Sequence, residues 1–219
     1  LLILNKFDTY FDLNKTQRLD LKISITEFLD WHRNTELSLL AVSLQELKSR
    51  YQRGMREEDF DWINDQYTIS RKRILHHVEP ALTTFFLTLE EKQIRHMEQK
   101  FIKRDDWLAK QGRMTDSEVY GETLKWFCDK TENWLGSLNS DQISKITSWI
   151  RIDRNWISLK LKNRNDFQKY FGSLLRSKED LSEGLHDLLH QTQDYSDESF
   201  KLHKKKQEKR VGRHFVKSR

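Results

Sequence analysis

Pro80 is the only proline in 219 residues, and seven glycines complete the supply of backbone breakers. A chain so poor in turn chemistry folds most economically as long helices joined by short connections. The apolar spacing agrees. Leu4, Phe7 and Phe11 fall at i, i+3, i+7 and predict a short first helix. Leu21, Ile25, Phe28 and His32 form the stripe of a second, and the pattern resumes in Leu37, Leu40, Leu44 and Leu47 before Gly54. Asn34, Thr35 and Ser38 interrupt good helix formers, which predicts a bend there. A third helix from about Glu57 buries Phe60, Ile63, Tyr67, Ile74 and Val78. Pro80 lacks an amide and predicts a kink or break in it.

Beyond Pro80 the same period marks helices around Ile94 to Leu108, Val119 to Trp134, Ile143 to Ile150, Trp156 to Leu174 and Leu181 to Leu189. A thinner one carries Phe200, Val211 and Phe215. The expected fold is all-α: eight or nine amphipathic helices packed as an irregular bundle of antiparallel hairpins. One helical domain is expected over 1–200, with a basic C-terminal helix or tail over 201–219.

Helix starts carry a recurrent device. Asn14 to Gln17, Thr88 to Glu91, Thr115 to Glu118 and Asn139 to Gln142 each place a capping side chain three residues before Glu or Gln. The first side chain accepts from a free amide and the last reaches back, a capping box worth about 1 kcal/mol. Ser177 to Asp180 reads as a looser version. Leu-Asn/Thr-x-x-Gln/Glu recurs at Leu13, Leu87 and Leu138, but the spacings are unequal and do not support a regular solenoid.

Charge is unevenly placed. Residues 201–219 hold nine Lys or Arg and one acid, Glu208, while the preceding 200 residues hold 30 basic and 33 acidic side chains. The sequence pI near 9.1 therefore belongs to the tail, where Lys204, Lys205, Lys206, Lys209, Arg210 and Arg213 could meet an anionic partner. No apolar run reaches the roughly 18 residues of a membrane span. The lone cysteine, Cys128, does not fix a redox compartment.

Chemistry-bearing clusters are few. Adjacent residues on a helix fan out by about 100°, so Trp31, His32 and Arg33 cannot converge as one catalytic set. His32 continues the apolar stripe and is expected to be half-buried, donating to a carbonyl or carboxylate. Arg33 is expected to pair with Glu36 or with an acid across a helix interface. His186 and His190 stand at i, i+4, a spacing that can place two imidazoles on one metal, but no third ligand is identifiable nearby, so solvated or interface histidines are expected. Cys128 is expected to be buried and inert. Asp105-Asp106 and Glu57-Glu58-Asp59 read as solvated faces or first-turn charges. Nucleophile elbows, phosphate loops and His-Glu-x-x-His are absent from the sequence. No enzyme activity and no cofactor are expected.

Taken together, these segments resemble an uncharacterised family of all-helical bacterial envelope lipoproteins, a domain-of-unknown-function family. Its members carry Tyr-Phe-Asp-Leu, a Leu-Thr-Pro-Glu-Gln cap, and Trp-His-Arg followed by Glu-Leu-Pro. Tyr10 to Leu13, Asn14 to Gln17, Trp31-His32-Arg33 and Glu36-Leu37 follow that order. Glu79-Pro80, Trp134-Leu-Gly136, Gln142 and Asn163-Arg164 continue it, so the likeness runs from about Tyr10 to Leu189. Ser38 stands where the family usually has Pro, and Lys15 and Ser140 replace the cap proline.

The resemblance implies a lipid anchor before Leu1 and the periplasmic face of the envelope. The family has no established activity; the role expected for this chain is non-enzymatic binding of a protein or envelope component, and chaperone activity is one version. Small periplasmic helical chaperones share similar caps. In the envelope the tail would meet anionic lipid or cell-wall polymer, and nucleic acid would be excluded. The alternative is a cytoplasmic nucleic-acid-binding module acting through the tail.

Overall fold

The computed structural model describes residues 2–190, 198–203 and 205. Among them the chain is all-α, with no strand. The helices are α1 (Leu2–Phe11), α2 (Lys15–Trp31), α3 (Leu37–Gln52), α4 (Glu57–Leu87) and α5 (Glu91–Arg113). Then come α6 (Asp116–Leu135), α7 (Ser140–Trp149), α8 (Arg154–Arg176) and α9 (Leu181–His190). A π-helical turn, His32–Glu36, joins α2 to α3.

Local chemistry sets most of these ends. Asn14, Thr115 and Asn139 each accept the amide of the Gln or Glu three residues on, and that side chain accepts the cap's own amide. Asp153 accepts the Trp156 amide at 3.0 Å and starts α8. Gly54 and Gly136 follow α3 and α6 with φ of 93° and 75°, left-handed conformations that cost glycine little.

One expectation is corrected here and another narrowed. The Thr88–Glu91 box does not form: the Thr88 hydroxyl closes α4 by donating to the Phe85 carbonyl (2.7 Å), and Gln93 accepts the Glu90 amide instead (3.1 Å). Of the kink or break expected at Pro80, the break does not occur: α4 runs through it. Phe85 and Phe86 are buried beyond it. Their burial at roughly 1.5–3 kcal/mol each outweighs the ~3 kcal/mol that an interior proline costs.

By its contacts the chain divides into two compact units, Leu1–Phe101 with Asn165–Arg219, and Ile102–Arg164. The first holds a core of Leu4, Phe11, Phe85, Phe86, Met97, Leu175 and Leu181 with their neighbours. Phe11 meets Phe85 edge-on at 5.4 Å, and Phe86 meets Phe171 likewise at 5.5 Å, the geometry that ring quadrupoles favour. Arg176 of α8 grips Glu91 (3.0 Å) and Glu98 (2.8 Å) of α5. Those carboxylates raise its already high pKa.

The second unit buries Leu108, Val119, Ile146 and Ile150. Arg154 is its hub: Nε pairs with Asp116 (2.7 Å), Nη1 donates to the Gln111 carbonyl (3.0 Å) and Nη2 donates to that of Met114. Cys128, expected to be buried, is only half-buried.

Candidate functional site

The π turn aims Glu36 inward. The Leu37 amide bonds to the His32 carbonyl, one residue further back than in an α-helix. The bend expected at residues 34–38 is therefore a widened turn. Glu36 is 2% exposed. It accepts two bonds from the Arg73 guanidinium of α4 (2.9 and 2.8 Å) and one from the Ser70 hydroxyl (2.6 Å). The Arg73 hydrogen bonds hold its carboxyl below the ordinary 4.5, against the opposing push of burial. Arg33 does not pair with Glu36; it reaches back to Asp30 at 3.2 Å. His32 is half-buried with its ring 5.7 Å from Phe28. Trp31 stacks on His77 of α4 with centroids 4.0 Å apart and ring planes nearly parallel at 9°.

At the other end of α2 the cap residue Gln17 meets Gln93 of α5. Each amide nitrogen donates to the other's oxygen, at 3.1 and 2.8 Å. Gln17 also donates to the Thr88 carbonyl (3.1 Å), and Gln93 to those of Phe11 (2.9 Å) and Asp12 (3.2 Å). Asp59, read as a solvated-face or first-turn charge, lies in the first turn of α4 and is fully buried there. It accepts the Arg56 amide (2.8 Å) and pairs with Arg50 (2.8 Å) and Arg53 (2.7 Å).

In the second unit Arg164 pairs with Asp105 at 2.5 Å, so that acid too is buried rather than solvated. Gln142 completes its capping box with Asn139 and Gly136 ends α6. Trp134, one of the residues that carry the resemblance, is 87% exposed.

A third group that could ligate a metal beside the α9 histidines, unseen in sequence, is Glu79 of α4. Its Oε1 meets His186 Nδ1 and its Oε2 meets His190 Nε2, both at 2.8 Å. One ligand atom from each residue falls within a 4.8 Å cluster. Burial pushes the Glu79 carboxyl up, and the hydrogen bonds and charges of His190 and His186 outweigh it, leaving it lowered. Pro80 follows directly in α4. The only sequence signal for this cluster was the i, i+4 histidine pair.

The α3–α4 hairpin departs most from expectation. Leu37, Leu40, Leu44 and Leu47 were expected to form a buried stripe, yet no residue of α3 is buried. Leu44, Leu47, Tyr51, Met55, Phe60 and Ile63 line an open groove of about 460 Å³, with Lys48 also at its wall. In the tail Lys205 is described and exposed; Lys204, Lys206, Lys209, Arg210 and Arg213 lie outside the described residues.

Fold and site define an all-α protein in which buried or partly buried polar residues such as Gln17, Glu36 and Glu79 tie helix to helix. Residues 9–201 match a family of unknown function, DUF6279, and the chain belongs to that family. No match is found among curated proteins or among solved structures.

Proposed function

We propose that the chain is a non-enzymatic binding protein of the bacterial envelope, lipid-anchored, that takes an amphipathic helix of a partner protein on its α3–α4 hairpin. The observation that carries this reading is α3 itself. Leu37, Leu39, Leu40, Val42 and Leu44 are 43–69% exposed, and residues 37–45 contain no charge. A helix apolar on several sides is ordinarily buried; contiguous exposed apolar surface marks an interaction site. A cleft between two helices suits a third that presents anchors at i, i+3 or i+4, and i+7. Met55 lends the lining adaptability, and Lys48 favours an acidic flank on the occupant. The envelope location and anchor rest on the resemblance of the Trp-His-Arg and cap segments to envelope lipoproteins. Chaperone-like holding of exposed client helices is a specific form of the same activity.

The test is titration of the full chain with a fluorescent amphipathic helical peptide of acidic flank, alongside suppression of client aggregation. Saturable binding that is lost in a Leu40→Glu/Leu44→Glu double variant of unchanged circular dichroism is expected. No binding at excess peptide sinks the reading. Self-association through the same face, seen by sedimentation, replaces the partner with a second copy. Salt-steep RNA binding that disappears on removing residues 201–219 would favour the nucleic-acid module.

A further inference from the structure

From Glu79, His186 and His190 we infer a divalent-metal site, of a donor set suited to Zn²⁺, that staples α9 to α4. The donors are two imidazole nitrogens and a carboxylate, the His₂Glu set that zinc accepts at about 2.0–2.2 Å per bond. Histidines at i, i+4 share one face of α9, and Glu79 reaches them from the helix on which α9 packs. Its two carboxylate oxygens already engage the two rings at 2.8 Å each. That arrangement is a divalent site with two protons standing in for the ion. Each imidazole needs only to carry its proton on the other ring nitrogen to turn a lone pair toward the carboxylate.

The backbone behind the donors is held in place. Leu181, Leu185 and Leu188 bury the opposite side of α9 with at most 4% exposure, and Arg71 of α4 donates to the Leu189 carbonyl at 3.3 Å. Positioned main chain of this kind limits the movement needed to close the donors on an ion. Access is provided on one side. Glu79 and His190 are mostly covered, at 16% and 20% side-chain exposure, whereas His186 is 56% exposed. Three protein ligands leave one position for water or an outside donor. Metal bound to the folded chain alone stabilises it by mass action, so the ion would fasten α9 to α4.

The experiment uses the untagged, chelator-treated full chain, titrated with Zn²⁺ and separately with Co²⁺ as a spectroscopic probe. One equivalent of Zn²⁺ is expected to bind with a rise in thermal midpoint, and Co²⁺ to give the visible absorption of a low-coordinate nitrogen–oxygen site. His190→Ala and Glu79→Gln are expected to lose both signals; His96→Ala, outside the cluster, keeps them. If Glu79→Gln fails to fold, His186→Ala serves, because that ring is largely exposed. Absence of saturable uptake overturns the site, as does uptake that persists unchanged in His190→Ala and His186→Ala. Neither outcome bears on peptide binding by the α3–α4 hairpin.

Discussion

Gln17 and Gln93, 76 positions apart, hold each other head to head, each side-chain amide donating to the other's oxygen. Both are nearly inaccessible, at 4% and 2% exposure. Each is also the third residue of its own helix start, accepting the amide of Asn14 or Glu90. One amide pair therefore closes two helix N-termini and joins them. Gln93→Leu leaves the Phe11 and Asp12 carbonyls and the Gln17 amide without this partner. A loss of about 2 kcal/mol in urea unfolding is expected, since a buried polar group left unmade costs roughly 1–3 kcal/mol. The Gln17→Leu/Gln93→Leu double variant should cost clearly less than the two singles together. Strict additivity would show that the pair does not act as a unit.

Glu36 makes an acid-sensitive contribution whose sign follows from its lowered pKa. The Arg73 hydrogen bonds lower its folded-state value, with Ser70 and the charges of Arg73 and His32 acting the same way. A depressed carboxylate stabilises the fold fully above its unfolded value, near 4.5, and that stability is lost as pH falls through the folded value. Glu36→Gln should thus be destabilised at pH 7, and its deficit should shrink as pH drops below about 4. Urea midpoints measured across pH 3 to 7 read this directly as the difference between variant and parent. Asp59, Glu79, Glu91 and Glu118 are lowered as well, so the parent's own slope is not the readout.

These two residues also show what a sequence of this kind makes legible. The Asn14–Gln17 box was readable because its chemistry is local, three residues apart on one turn. That Gln17 finds Gln93, and Glu36 finds Arg73, depends on which helices pack together. No single-helix pattern encodes that choice. The bend after Arg33 was expected from Asn34, Thr35 and Ser38; its π-helical form was not, because it serves to turn Glu36 toward α4. Thr88 misled for a related reason: it closes α4, its hydroxyl donating to the Phe85 carbonyl, whereas α5 starts later, at Glu91, with Gln93 accepting the Glu90 amide. The two-unit division left no linker to read, since both boundaries fall inside continuous helices, α5 and α8. Glu79 was named only as half of Glu-Pro. Its meeting with His186 and His190 spans more than a hundred residues.

Gly184 of α9 is set by packing against Leu174. A Cβ at that position would overlap the Leu174 Cδ1, and Leu174 is buried at 6% exposure. Gly184→Ala should therefore destabilise by about 1–2 kcal/mol through overpacking, despite the better helix propensity of alanine. Shortening the neighbour tests the cause. In a Leu174→Ala background, where the overlapping methyl is gone, Gly184→Ala should become neutral or stabilising by thermal denaturation.

Arg154 should govern the second unit. Its guanidinium spans the turn between α5 and α6, holding Asp116 by charge and the carbonyls of Gln111 and Met114 by hydrogen bonds. Those carbonyls belong to the end of α5 and the turn after it, where helix geometry leaves acceptors unmet and a cation is favourable. Lysine keeps the charge but cannot present three donors in a plane. Arg154→Lys should therefore fall between the parent and Arg154→Ala, with the alanine variant losing about 1–3 kcal/mol. Because the partners all lie within residues 102–164, the loss should be local. Hydrogen exchange should quicken through α6 and α7 while the amides of α4 and α9 keep their protection. A uniform rise in exchange over both units would mean that they unfold as one.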